Sequence, residues 1–194
     1  DRVELDVTPQ EMSIFLPEIP RGGNDVVVIR NLSKSWKNSD GLDKNVFSGL
    51  NATVHHKDKI ALVGVNGAGK STFLKVLCGI EEPTAGEVIV GPSISTGYFG
   101  QLSLDSLSPD LTIIEDVQSK LPHIPDDALR NLLASFLFRG DEVFKKIKYL
   151  SGGEKTRVIL ASLLSTPYNF LILDEPTNHL DMGSREVLLD GLKR

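Results

Sequence analysis

The run Lys59-Ile60-Ala61-Leu62-Val63-Gly64-Val65-Asn66-Gly67-Ala68-Gly69-Lys70-Ser71-Thr72 reads as a strand, a loop and the start of a helix, in that order. Residues 59–63 form the continuous apolar stretch expected of a strand buried on both faces of a parallel sheet. From Gly64 to Ser71 the chain fits G-x-x-x-x-G-K-[ST], and Gly64, Asn66, Gly67, Ala68 and Gly69 let backbone N–H groups close around phosphates. In that pattern Lys70 reaches the β- and γ-phosphates, Ser71 binds Mg2+, and Thr72 stands in the first helical turn. The reading is of an α/β chain that handles a nucleotide.

Two further phrases complete the chemistry. The apolar strand Phe170-Leu171-Ile172-Leu173 ends in two carboxylates, so that Asp174 helps to hold the magnesium while Glu175 is free to orient or deprotonate a water. Between the loop and that strand stands Leu150-Ser151-Gly152-Gly153-Glu154. A serine and two glycines at a helix start expose backbone donors and the positive end of the helix dipole, which suits a phosphate.

Outward from these phrases the chain is less specific. At 194 residues and 40% apolar content it is long enough for one sizeable core, and one domain is the expectation. No apolar run approaches the roughly 18 residues that span a bilayer, and Asp1-Arg2-Val3-Glu4 is unlike the basic start of a signal peptide. Cys78, the single cysteine, excludes an internal disulfide and is compatible with a reducing, cytoplasmic setting. A net charge of −5 gives no global attraction to nucleic acid. Residues 1–25, with Pro9, Pro17, Pro20, Gly22 and Gly23, read as a linker, and Val26-Val27-Val28-Ile29-Arg30 opens a strand. A helix from Ser71 to about Gly79 places Cys78 on its buried face, and a strand over residues 94–99 delivers Gln101 at its end. Beyond it the pattern turns helical, with Ala128, Leu129, Leu132, Leu133, Phe136 and Leu137 on one face. His55, His56 and His123 lack metal-ligand spacing, and Lys145-Lys146-Ile147-Lys148 reads as a solvated face.

With Lys155-Thr156-Arg157-Val158 after it, the phrase at residues 150–154 resembles the signature of the ATP-binding-cassette family. Glu175-Pro176-Thr177-Asn178-His179-Leu180-Asp181, Tyr98-Phe99-Gly100-Gln101 and Phe136-Leu137-Phe138-Arg139-Gly140 resemble its ABC-F branch of soluble tandem-cassette ATPases, over about residues 25–194. The resemblance implies the P-loop NTPase cassette fold: an α/β mixed-sheet core over residues 26–194, a small antiparallel β subdomain, and a helical subdomain inserted at about 102–165. It implies ATP and Mg2+ as cofactors, with Lys70, Gln101 and Glu175 catalytic and Ser71, Gln101 and Asp174 around the metal. It further implies that Trp36, or Phe47 as a second candidate, stacks on adenine. Ser151, Gly152 and Gly153 would cap the nucleotide of a partner cassette. The histidine loop of the family is expected past Arg194, so the cassette is expected to be cut short, with at least one strand missing from its sheet. The implied function is an ATP-driven clamp on the ribosome, with a second cassette and the ribosome, its rRNA and tRNA as partners and no membrane. A motor subunit of an ABC membrane transporter is the alternative. A third reading, a non-catalytic ATP-binding scaffold, is disfavoured by Glu175.

Overall fold

The computed structural model describes residues 22–176, and 180, 185, 186, 188, 189 and 192, without the side chains of 101 and 102. Most of the expected linker and the stretches 177–179 and 181–184 lie outside the described residues. The chain divides into two compact units. One comprises residues 22–103 with Pro167–Pro176, and the other is built on Leu104–Thr166.

In the first unit, β1 (Asp25–Lys37) is the middle strand of an antiparallel sheet, between β2 (Asp43–His55) and β3 (Ala85–Val90). Its valines and isoleucine suit a pleated, half-buried surface. Strict alternation would turn Ile29 and Leu32 to opposite faces, yet both are buried. An irregularity at Arg30 and Asn31 reconciles them: the pairing with both neighbours shifts there, and Asn31 takes a φ of 46°. Across from it lies Gly86 at φ 80°, where a Cβ would collide with the Arg30 and Asn31 carbonyls. The β1–β2 connection closes on Asn38, whose Oδ1 accepts from the amides of Asp40 (3.1 Å) and Leu42 (2.8 Å), with Gly41 at φ 77°.

The same unit holds a parallel pair, β4 (Thr96–Phe99) and β5 (Phe170–Leu173), and the helix α1 (Lys70–Leu77). Val26, Val27, Ile29 and Leu32 of β1 meet Val76 and Leu77 of α1 and Ile172 of β5 in one apolar core, flanked by Phe47, Phe73 and Tyr98. Cys78 caps the C-terminus of α1 and is half-buried. Burial, and then the negative charge of Asp174, push its thiol up to about 11, which leaves it unreactive.

Residues 59–63 depart from the expectation of a buried parallel strand. They lie outside any strand, with Ile60 65% and Val63 89% exposed. A strand persists only where neighbours take its backbone N–H and C=O groups. Among the described residues β5 pairs with β4, and residues 59–63 belong to neither sheet.

The second unit contains α2 (Ile113–Lys120), α3 (Asp126–Ser135) and α4 (Gly152–Ser165). Ile113, Val117 and Leu121 recur every four residues, as do Leu129 and Leu133, and all are buried. The N-terminus of α2 is closed by a reciprocal box in which the Thr112 amide donates to Glu115 (2.8 Å) and the Glu115 amide donates to the Thr112 hydroxyl (3.4 Å). The buried Asp116 carboxylate is fully used, accepting from the Ser108 amide (2.9 Å) and Lys120 Nζ (2.6 Å). At the end of α3, Phe138 and Leu137 donate back to Leu133 (2.9 Å) and Ala134 (3.1 Å), with Leu137 in the left-handed region at φ 68°.

Trp36 is the sole tryptophan and lies on β1, so its emission reports unfolding of the first unit. Leu32 is fully buried, and Leu32→Ala is expected to cost about 3 kcal/mol. Urea titration followed by Trp36 fluorescence checks this.

Candidate active site

The loop from Gly64 to Gly69 delivers the chain into α1 with its first amides uncapped by any side chain and no acid in the first turn. Those orphan N–H groups, with the dipole behind them, make a seat for an anion. Gly69 is required twice over: it has φ 90°, and a Cβ there would run into the Val46 side chain. The Lys70 ammonium folds back onto its own loop, donating to the carbonyls of Gly64 (2.9 Å) and Val65 (3.0 Å). Thus the loop is held in shape by the residue expected to meet phosphate.

Asp174 is brought to the same helix start by the parallel pair. Phe99 stands opposite Leu173, and the Asp174 amide extends the ladder by donating to the Phe99 carbonyl (2.8 Å). Ser71 Oγ donates to Asp174 Oδ1 (2.9 Å), and the Tyr98 hydroxyl donates to Oδ2 (3.2 Å). A hydroxyl and a carboxylate oxygen are hard donors of the kind Mg2+ takes. Among the described residues no group of three or more His, Cys, Asp or Glu gathers, so a cation here would draw its other oxygens from ligand and water. Glu175 follows at φ 48°, a conformation that costs a non-glycine residue about 1–2 kcal/mol. Tyr98 stands in the phrase Tyr98-Phe99-Gly100-Gln101, which assigns it no role, and the β4–β5 register is what reveals its contact with Asp174. Burial first, then the charge and hydrogen bond of Asp174, push its phenol well above the ordinary range.

Of the two aromatic candidates, Phe47 packs edge-to-face on Phe73 with ring centroids 5.7 Å apart, whereas Trp36 is 43% exposed. Lys34 Nζ sits 4.0 Å from the centre of the Trp36 ring and donates to the Glu82 carbonyl (2.6 Å). Gln101 opens a 3-10 turn, Gln101–Ser106, directly after Gly100, and its side chain lies outside the described residues.

Ser151, Gly152 and Gly153 belong to the other unit, at the start of α4. The Ser151 hydroxyl accepts from the Glu154 amide (3.3 Å), the Ser151 amide donates to Glu154 (2.6 Å), and Lys145 Nζ donates to the other Glu154 oxygen (2.9 Å). At Gly152 an added Cβ would meet nothing within 4 Å, so among the described residues no neighbour demands a glycine there. The basic cluster is partly neutralised, since Lys145 pairs with Glu154 and Lys148 with Asp110. His55 bonds Asp25 at the surface (3.0 Å).

Comparison with known proteins gives a consistent picture. The family model described as ABC transporter matches residues 47–178. The chain is 36% identical over 98% of its length to ABC transporter F family member 5 of Arabidopsis thaliana, and 40% identical over 75% to the ATP-binding protein Uup of Haemophilus influenzae. It spans 27% and 23%, about a quarter, of those relatives. Its fold resembles that of the bacterial ABC transporter cassette MJ0796, solved as a dimer, with a TM-score of 0.70 at 23% identity over 86% of this chain and 81% of that one. Among the described residues no helix is long and apolar enough to cross a membrane.

Burial works against ionisation of Glu154, but the Ser151 amide, the Lys145 ammonium and the Ser151 hydroxyl outweigh it and hold the carboxyl at about 2, against an ordinary 4.5. The stability it lends the α4 cap is therefore present above pH 4.5 and lost as pH falls toward 2. Glu154→Gln should flatten the dependence of stability on pH across that window, measured by urea unfolding at a series of pH values.

Proposed function

This chain belongs to the ABC transporter family of ATP-binding cassettes, and from that premise we propose that it is one half of a paired, ATP-hydrolysing clamp that works on the ribosome. The observation that carries the catalytic part is the meeting of Ser71 and Asp174, 2.9 Å apart, at the uncapped start of α1 beside Lys70.

Phosphoryl transfer to water needs little covalent help, so positioning and charge dominate. On nucleotide binding, Lys70 exchanges the Gly64 and Val65 carbonyls for β- and γ-phosphate oxygens, a trade of neutral acceptors for charged ones. The amides of Gly67, Gly69, Lys70 and Ser71 close on the phosphates, and Trp36 offers its open face to the base. Ser71 Oγ and Asp174 Oδ1 fit a magnesium ion, which when bound stabilises negative charge on the β- and γ-phosphates. Glu175 orients the attacking water and takes its proton on a carboxylate oxygen.

The site is completed from outside. A glycine-rich helix start, exposed at Ser151 and Gly152 and with open space among the described residues where a Gly152 side chain would be, supports contact with the nucleotide of a second cassette. The ribosomal reading rests on similarity to ABC-F relatives and on the stretch from Glu175 to Asp181; the transporter-motor alternative shares all of the ATP chemistry.

Gly152→Ala separates fold from function. It should stabilise α4 by about 0.4–1 kcal/mol in urea unfolding, because alanine suits a helix better than glycine, yet lower ATP turnover of the full-length protein. A loss of stability would show that the glycine serves the chain's own packing.

Glu175→Gln keeps the size of the side chain and removes the base. ATP hydrolysis by the full-length protein should fall about 10²–10⁴-fold with ATP still bound. Sedimentation of lysate with ATP then locates the trapped species: co-migration with ribosomes supports the clamp, a membrane pellet supports the transporter motor, and a free soluble species overturns both.

A further inference from the structure

Asp174 is fixed on three sides. Its amide donates to the Phe99 carbonyl (2.8 Å), Oδ1 accepts from Ser71 (2.9 Å), and Oδ2 accepts from the Tyr98 hydroxyl (3.2 Å). Two of the three holds come from the end of β4. That end is itself closed, because Ser103 Oγ accepts from the Gly100 amide (3.0 Å) and donates to the Tyr98 carbonyl (3.4 Å). The Tyr98 hydroxyl also fills the space where a side chain at Gly100 would stand: a Cβ there would collide with it, lie 2.7 Å from Tyr98 Cζ and 3.1 Å from Asp174 Cβ.

We propose that Tyr98 is a positioning residue for ATP hydrolysis, fixing the rotamer of Asp174 through Oδ2 so that Oδ1 is presented beside Ser71, and that Gly100 is the residue that gives its ring room. The proposal rests on the ATPase reading above. Its physical basis is the two-fold freedom of a carboxylate about its last torsion. In the structure both oxygens have a hydroxyl donor. Once Ser71 turns its lone pairs to a cation, its proton points away and its hydrogen bond to Oδ1 is lost. Tyr98 is then the side chain that still holds the carboxylate in place. A tyrosine suits this task because its hydroxyl, with an ordinary pKa near 10, stays a donor at neutral pH.

The test is Tyr98→Phe in the full-length protein, which keeps the ring and removes only the hydroxyl. Affinity for a fluorescent ATP analogue is measured in EDTA and across a Mg2+ titration, each variant being referred to its own metal-free value. The Mg2+ concentration that gives half of the affinity gain should rise about tenfold, the effect of losing one hydrogen bond to a charged acceptor. Gly100→Ala should shift it in the same direction, and Mn2+ bound with the analogue should show an altered electron paramagnetic resonance spectrum in Tyr98→Phe. An unchanged Mg2+ requirement overturns the proposal, and so does an equal loss of affinity with and without metal, which would mark Tyr98 as mere packing. If wild-type protein shows no Mg2+ dependence, the ATPase reading falls and the positioning role with it, a result visible before any variant is made.

Discussion

The hydrogen bond from Ser71 to Asp174 joins two points 103 residues apart in the chain, the start of α1 and the end of β5. Each is brought there by a different part of the core. Asp174 reaches that point because β5 runs parallel to β4 in a register that sets Leu173 opposite Phe99. Ser71 reaches it because α1 packs Val76 and Leu77 onto β1 and onto Ile172, one strand position before Leu173. A slip of one residue in the parallel pair would turn every side chain of β5 to the opposite face and take the Tyr98 contact with it. The core of the first unit is thus the device that sets the separation of a hydroxyl and a carboxylate to within a hydrogen bond.

Motif spacing made much of this legible. The phosphate pattern named Lys70 and Ser71, and the strand ending in Asp174 and Glu175 named the other side, because these residue types are dictated by the ligand's chemistry and not by the rest of the fold. The start of α4 was readable from its serine and glycines, whereas the reciprocal box that Ser151 forms there with Glu154 emerged from the structure. What sequence could not supply were properties that depend on partners. Residues 59–63 have the composition of a buried strand, but composition does not provide a neighbour for their backbone, and they stand exposed. Phe47 and Trp36 look alike as aromatic candidates until packing against Phe73 claims the first. The Arg30–Asn31 irregularity likewise depends on Gly86, more than fifty residues away, leaving its carbonyls room.

Charge is distributed on a similar principle in the two units. In the second, acids and lysines neutralise each other locally: Asp116 with Lys120, Glu154 with Lys145, Asp110 with Lys148. In the first, the hydrogen bonds of Lys70 Nζ among the described residues go to carbonyl oxygens, partners that carry no net charge.

The left-handed backbone of Glu175 sets a direction for mutational drift. At φ 48° glycine or asparagine is the cheaper residue for the backbone, so random substitution filtered by folding alone would move position 175 away from glutamate. A carboxylate there carries a backbone cost that glycine would not, and the catalytic role proposed for Glu175 is a requirement that would retain it.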